Sequence, residues 1–498
     1  MTTEEFSPRD TEYVALRWSR RPGYTLVSYG EVALPVYRLS VRTLAVVETA
    51  LSTTEVFVLR GIDKGLGSTE EITGVLGLDR RFVTSVLSEL VRGDHVGLLA
   101  PEGAKRQKLS LTMKGRRTLA TEAAEHPEER MIQLFWDGLT RRVVALSDEG
   151  LITGQEAKNR GLRTVPTICG APPSADDLDR GEVERMLDDA TGRRKRLVSI
   201  LSFVAVEKRY VVYQPAVALV YRGRTPSDLL VSFAVDGHVS EQHESAFARA
   251  EGVRRLKIAR ELEEGLEKPP ELPAGWESES EGGLPREGAA PSTEVADALL
   301  ARVEREAAEA AVREATERSE RDLALSRVKE AAARSNATEP GLTRPTIRRL
   351  SMPEHAPLLR SALSDARSRL LIISPWIRAG VVNHRFVNQL RDLLKGGVKV
   401  YIGWGIGDDK EKDMRDVDRR AIEDIERLGR DHTNLAFKYI GNTHAKVLIL
   451  DRKLAIYGSF NWLSFKGDPN RGFREENSLL VTIPEKVDQL FSQELAQF

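Results

Sequence analysis

Residues 444–461 read HAKVLILDRKLAIYGSFN. Two apolar runs, VLIL and LAIY, flank Asp451-Arg452-Lys453, the pattern of two short strands joined by a polar turn. His444 and Lys446 precede the first run, and Gly458, Ser459 and Asn461 follow the second. Upstream, helical and strand signals alternate. Helices are predicted over 355–365, 384–394 and 413–428, and strands over 370–374, 398–404, 434–440, 445–450 and 454–457. Gly396-Gly397 supplies a helix stop. Interleaved helices and strands predict an α/β sandwich over residues 350–498.

The spacing His-x-Lys, four residues, Asp, six residues, Gly-Ser-x-Asn resembles the signature of the phospholipase D superfamily. The resemblance covers the C-terminal segment alone, whose size is similar to one catalytic repeat of that family. It implies that His444 attacks phosphorus and that a second histidine protonates the leaving oxygen, so that a covalent intermediate divides one displacement into two. The two imidazoles would titrate as a coupled pair. Lys446 would supply positive charge, Ser459 and Asn461 neutral donors, and Glu476, in Arg474-Glu475-Glu476-Asn477, would fix the tautomer of the histidine, with Glu475 the weaker candidate. Asp451 is counted in the same constellation, as a turn and lysine-orienting residue, and Gly458 as the point where backbone approaches phosphate. The resemblance implies no metal and no cofactor. His-x-Lys occurs once in the chain. Since the family's site takes two such motifs, it implies a two-fold homodimer with the site on its axis.

The rest of the chain is read for how it serves such a site. The expected architecture is multidomain: an N-terminal winged helix (α+β), a middle α+β domain, a long helix and the C-terminal α/β phospholipase D-like sandwich. Residues 1–38 form an extension with weak strand alternation. Residues 39–125 contain an apolar helix over 54–62 and the capping box Ser68-Thr69-Glu70-Glu71. After the turn Gly77-Leu78-Asp79 comes a helix with Phe82, Val83, Val86, Leu87, Leu90 and Val91 on one face. Two strand-like pieces follow, joined by the basic PEGAKRQ. This order looks like a winged helix, whose second helix of the pair enters the major groove while its wing touches phosphates or the minor groove. Arg80, Arg81 and Thr84 then face nucleic acid from the helix, and Lys105, Arg106 and Lys108 from the wing. Protein docking is the other use of such a module, and these residue types suit an ordinary solvated surface as well.

Residues 126–262 are expected to open with a helix carrying Met131, Leu134, Phe135 and Leu139, followed by sequence dense in Val, Tyr and Phe. They contain no recognisable catalytic constellation. The basic run 192–196 suits a phosphate or plain solvent, and His238 and His243 lack further ligands at metal-binding spacing. Residues 263–291 form a Pro-, Gly-, Ser- and Glu-rich linker, and residues 292–337 a charged helix about 60 Å long, a coiled coil or a spacer. In the segment between Asn461 and Glu476, Lys466, Arg471 and Arg474 suit a phosphate backbone or solvent.

With 74 Lys and Arg against 75 Asp and Glu, any nucleic-acid surface is a local patch. One cysteine, Cys169, excludes an intramolecular disulfide. The N-terminus lacks an apolar signal core, and the reading is a soluble, cytoplasmic protein. The expected activity is a metal-independent endonuclease, DNA preferred over RNA, in bacterial anti-phage defence or restriction beside a helicase or ATPase partner. The alternatives are a DNA-binding transcriptional regulator with a phospholipase D-like sensor domain, and a phospholipase.

Overall fold

A computed structural model describes residues 11–99, 108–167, 170–188, 195–265, 346–405, 414–441, 443–465 and 472–498, together with residues 300–302, 304–305, 308, 312 and 325–330. The linker 266–291, most of the long helix, Lys105, Arg106, Cys169, Arg193, Lys466 and Arg471 lie outside the described residues. The chain divides into two compact units, one of residues 1–35, 150–169 and 213–498, the other of residues 36–149 and 170–212.

In the second unit, residues 36–50 of the 27-residue strand Tyr24–Ala50 pair antiparallel with the strand Ala123–Asp137, from Val36 opposite Asp137 to Ala50 opposite Ala123. The segment with Met131 and Leu134 is therefore strand where a helix is expected. Its buried residues, Ile132, Leu134 and Trp136, recur every second position, and the partner strand lies far away in sequence. Between the two strands come helices Thr53–Asp63, Thr69–Leu76 and Arg80–Arg92, the antiparallel strands Val96–Leu99 and Lys108–Leu111, and helix Met113–Thr121. Ser52 and Ser68 both complete capping boxes, with Glu55 and Glu71, and Asp79 caps the third helix. The expected boundaries at 38/39 and 125/126 both fall inside strands.

In the first unit, helix Thr11–Arg17 precedes the strand Tyr24–Ala50, whose start carries the alternation YTLVSYGEVALPVY. The core of the C-terminal part is a seven-stranded sheet. Its order is Ile347–Leu350, Ser478–Val481, Leu454–Gly458, Val447–Leu450, Arg369–Ser374, Lys399–Trp404, Leu435–Tyr439. The last three strands run parallel, and the other neighbours are antiparallel. Leu370 and Ile372 face one apolar layer, with helices His355–Asp365, His384–Lys395 and Asp416–Asp431. Leu371 and Ile373 face another, with helix Pro484–Leu495. Cover on both faces is why runs such as LLII and VLIL are unbroken rather than alternating. No helix among the described residues is long and apolar enough to cross a membrane.

Candidate active site

The hairpin of Val447–Leu450 and Leu454–Gly458 pairs Val447 with Tyr457, so the residues before its first strand and after its second emerge at one end. Gly458 pairs with Ser478 of the next strand, which brings residues 476 and 477 to that end as well. Register alone thus gathers His444, Lys446, Ser459, Asn461 and Glu476.

His444 is exposed, while Lys446 is 2% exposed. The Lys446 ammonium donates to the His444 carbonyl oxygen at 3.1 Å and lies 3.2 Å from Nδ1 and 3.4 Å from Nε2. A fixed positive charge therefore stands beside the imidazole, where a phosphate attacked by that imidazole would develop negative charge. The Ser459 hydroxyl donates to the Glu476 carboxylate and accepts from the Asn477 N–H at 2.8 Å. Ser459 thus holds the Glu476 carboxylate in place. Asn461 is 3% exposed, and its Oδ1 has no hydrogen-bond partner among the described residues.

Asp451 lies at the opposite end of the hairpin. Its carboxylate accepts from the Ser368 N–H at 2.8 Å, the Ser368 hydroxyl at 2.9 Å, the Arg369 N–H at 3.0 Å and the Arg367 N–H at 3.1 Å. It pins the turn to the start of strand Arg369–Ser374 and does not orient Lys446. Burial opposes its charge, but the N–H groups of Arg369 and Ser368, the Ser368 hydroxyl and the Arg367 N–H outweigh burial and hold the carboxyl below the usual carboxylate range. Because the folded-state pKa lies below the unfolded one, this stabilisation is full above the unfolded value and is lost as pH falls through the folded value. Asp451→Asn, which tolerates the residue's φ of 47°, should destabilise the chain by about 2–3 kcal/mol at pH 7. Denaturant titrations should show the gap closing below roughly pH 4; a gap of equal size at both pH values would exclude this origin.

Gly458 stands hard against the next strand. A Cβ there would stand 2.1 Å from Ser478 Oγ and 2.3 Å from the Asn477 carbonyl oxygen, so the close neighbour is the strand next door. Behind that contact, the fully buried His355 lies with Nε2 2.8 Å from Ser478 Oγ and Nδ1 3.1 Å from the Met352 carbonyl oxygen, stacked on Phe460. Burial pushes its pKa down to about 4, so it is neutral at pH 7.

The segment carrying Glu476 is held from outside the sheet. Arg222 pairs with Glu475, and the Arg474 N–H donates to Ser28 Oγ at 3.1 Å. The Glu261 carboxylate accepts the Phe473 N–H at 3.2 Å and two bonds from Arg163, at 2.6 and 2.8 Å, whose guanidinium lies 4.9 Å from the centre of the Phe473 ring. These partners, distant in sequence, escape a motif search because nothing local marks them. Of the residues expected to touch nucleic acid, Arg80, Arg81 and Lys108 are exposed on the second unit, Arg80 paired with Glu70 at 2.6 Å. Among the described residues, no group of three or more His, Cys, Asp or Glu is placed to hold a metal.

The fold and this end of the hairpin define a class: an α/β sandwich presenting a His-Lys pair with a Ser-bound glutamate and a buried asparagine. Residues 359–495 match the family model described as cardiolipin synthase, PLD-like domain. The match assigns a phospholipase D-like domain to residues 359–495. Similar solved structures include the phospholipase D family member Nuc from Salmonella typhimurium, 18% identical over 31% of this chain and 94% of that one, with a TM-score of 0.24. NucT from Helicobacter pylori is 18% identical over 31% and 96%, with a TM-score of 0.23. Phosphatidylserine synthase from Haemophilus influenzae is 14% identical over 34% and 45%, with a TM-score of 0.22. Likenesses at this level carry no argument about substrate. No curated protein matches the chain.

Proposed function

We propose that the chain is a metal-independent phosphodiesterase that cuts nucleic acid as a homodimer. The observation that carries this reading is the Lys446 ammonium against the exposed His444 imidazole, at the end of the hairpin where Glu476 and Asn461 also stand. In the first step a neutral imidazole nitrogen of His444 bonds to phosphorus as the bond to the leaving oxygen breaks. His444 of a second copy gives that oxygen a proton. Water, deprotonated by the second imidazole, then breaks the N–P bond and restores the first. Lys446 offsets the charge on the non-bridging oxygens.

Nucleic acid is favoured over lipid by the exposed basic residues Arg81 and Lys108 on a helical module of the same chain. We read residues 39–125 as a winged helix that holds substrate. Docking to a protein is the second reading of this module, favoured by its exposed Val75, Phe82, Leu98, Leu99 and Met113. The activity is tested with labelled single- and double-stranded DNA, RNA and phosphatidylcholine vesicles in excess EDTA. Nucleic acid should be cut and vesicles left intact. Cleavage of vesicles alone would make the chain a phospholipase, and tight DNA binding without cleavage would favour a regulator.

A further inference from the structure

Glu476 stands in a stretch without helix or strand, residues 472–477, and a side chain there is placed only as well as the backbone beside it. On its C-terminal side the sheet fixes that backbone. The Asn477 N–H donates to Ser459 Oγ at 2.8 Å, and the Asn477 carbonyl oxygen accepts from the Ser459 N–H at 2.9 Å. On its N-terminal side three successive residues are fixed by three elements that precede the phospholipase D-like domain in sequence. The Phe473 N–H donates to Glu261 on helix Ile258–Glu264, and the Arg474 N–H to Ser28 on strand Tyr24–Ala50. The Glu475 carboxylate pairs with Arg222 at the end of strand Lys195–Arg222. All of these residues belong to the first unit.

Two features separate this contact from an ordinary docking of side chains. Two of the three bonds end on backbone N–H groups, so they set the path of the chain itself. The clamp is also braced from behind. Arg163 donates to both Glu261 carboxylate oxygens, at 2.6 and 2.8 Å, and its guanidinium lies 4.9 Å from the centre of the buried Phe473 ring. A bidentate, partly buried pair of this kind holds its geometry better than an exposed one. Gly472 lets the two sides meet: a Cβ there would stand 2.7 Å from Glu261 Cδ.

We propose that Glu261, braced by Arg163, and Arg222 are positioning residues for Glu476. They fix residues 473–475 while the sheet fixes Asn477, and the carboxylate between the two anchors is held on Ser459, at the end of the hairpin that carries His444 and Lys446. The phospholipase D-like segment therefore does not complete its own site, since its glutamate is placed from one side by residues far upstream. Glu475, the neighbouring acid, is committed to Arg222 and serves the same anchor. The inference rests on the phosphodiesterase reading and adds the residues that make its site work in this chain.

The test uses the full-length protein and bis-p-nitrophenyl phosphate, a chromogenic phosphodiester. Glu261→Gln keeps the shape of the side chain but cannot take both bonds from Arg163 as a carboxylate does. It should lower kcat about tenfold and leave KM within about twofold. In a Glu476→Gln background the same change should cost less than about twofold, because no carboxylate is left to place. Losses that multiply in full, or an unchanged kcat in the single variant, would overturn the proposal. Arg222→Glu and Glu475→Arg should each cost about tenfold, and their combination should return kcat to within about threefold of the parent; a double variant as poor as the worse single one would remove Arg222 from the clamp. Hydrogen exchange resolved to single amides gives a readout that needs no turnover. In Glu261→Gln the Asn477 N–H, which bonds to Ser459 and not to the clamp, should exchange at least about tenfold faster, with the Ile372 N–H in strand Arg369–Ser374 unchanged. Acceleration confined to Phe473 would overturn the proposal. Acceleration at Asn477 in a protein whose parent form cuts no diester would leave the clamp standing and remove the catalytic reading alone.

Discussion

His444→Asn should lower kcat by about 10⁴-fold or more while leaving the unfolding transition unchanged, since the residue is exposed and lies outside the strands. Removing a nucleophile deletes the covalent route itself, and the residual rate is what positioning and charge achieve alone. Lys446→Gln should cost about 10²–10³-fold, the range for one preorganised charge at a developing anion. The proposed homodimer adds a quantitative signature. If each site takes one histidine from each copy, subunit exchange at equal concentrations of parent and His444→Asn chains leaves roughly a quarter of the dimers competent. Specific activity should fall to that fraction, whereas one half would mean that every chain carries a complete site.

Gly458→Ala should damage both stability and activity. The added methyl meets Ser478 Oγ, the Asn477 carbonyl oxygen and, at 2.5 Å, Ser478 Cα, so relief requires the neighbouring backbone to move. Overpacking of this kind costs about 3 kcal/mol. The strand that must yield begins two residues after Glu476, and Asn477 just before it supplies the carbonyl that accepts the Ser459 N–H at 2.9 Å. A shift there misplaces the Ser459–Glu476 pair, and a misplacement of about 1 Å can cost roughly 10²-fold in kcat. Denaturant titration and kcat should therefore fall together. A stable, fully active Gly458→Ala protein would show that the contact with Asn477 and Ser478 does not position the site.

What the sequence made legible is what local pattern encodes. Ser68 and Glu71 announce a helix start through two reciprocal bonds within four residues. The run VLIL announces a strand covered on both faces. Illegible parts depend on distant partners. Met131, Leu134, Phe135 and Leu139 fit helical spacing, yet Ile132, Leu134 and Trp136 fit a strand, and only pairing with residues 36–50 decides between them. Asp451 shows the converse hazard. It occupies a fixed position of the motif, but its partners at 367–369 make it a fastener of the sheet. Arg163 and Glu261 belong to no motif, and the fold alone brings them to Phe473.

A bond from His444 to phosphorus can be caught directly. A phosphodiester labelled at phosphorus should be mixed with excess protein in EDTA, and the reaction stopped in alkaline detergent, which preserves phosphohistidine. Label should stay with the denatured chain, map to the peptide containing His444 and vanish in His444→Asn. Full turnover with no label on the chain, or label on any other residue, would contradict it.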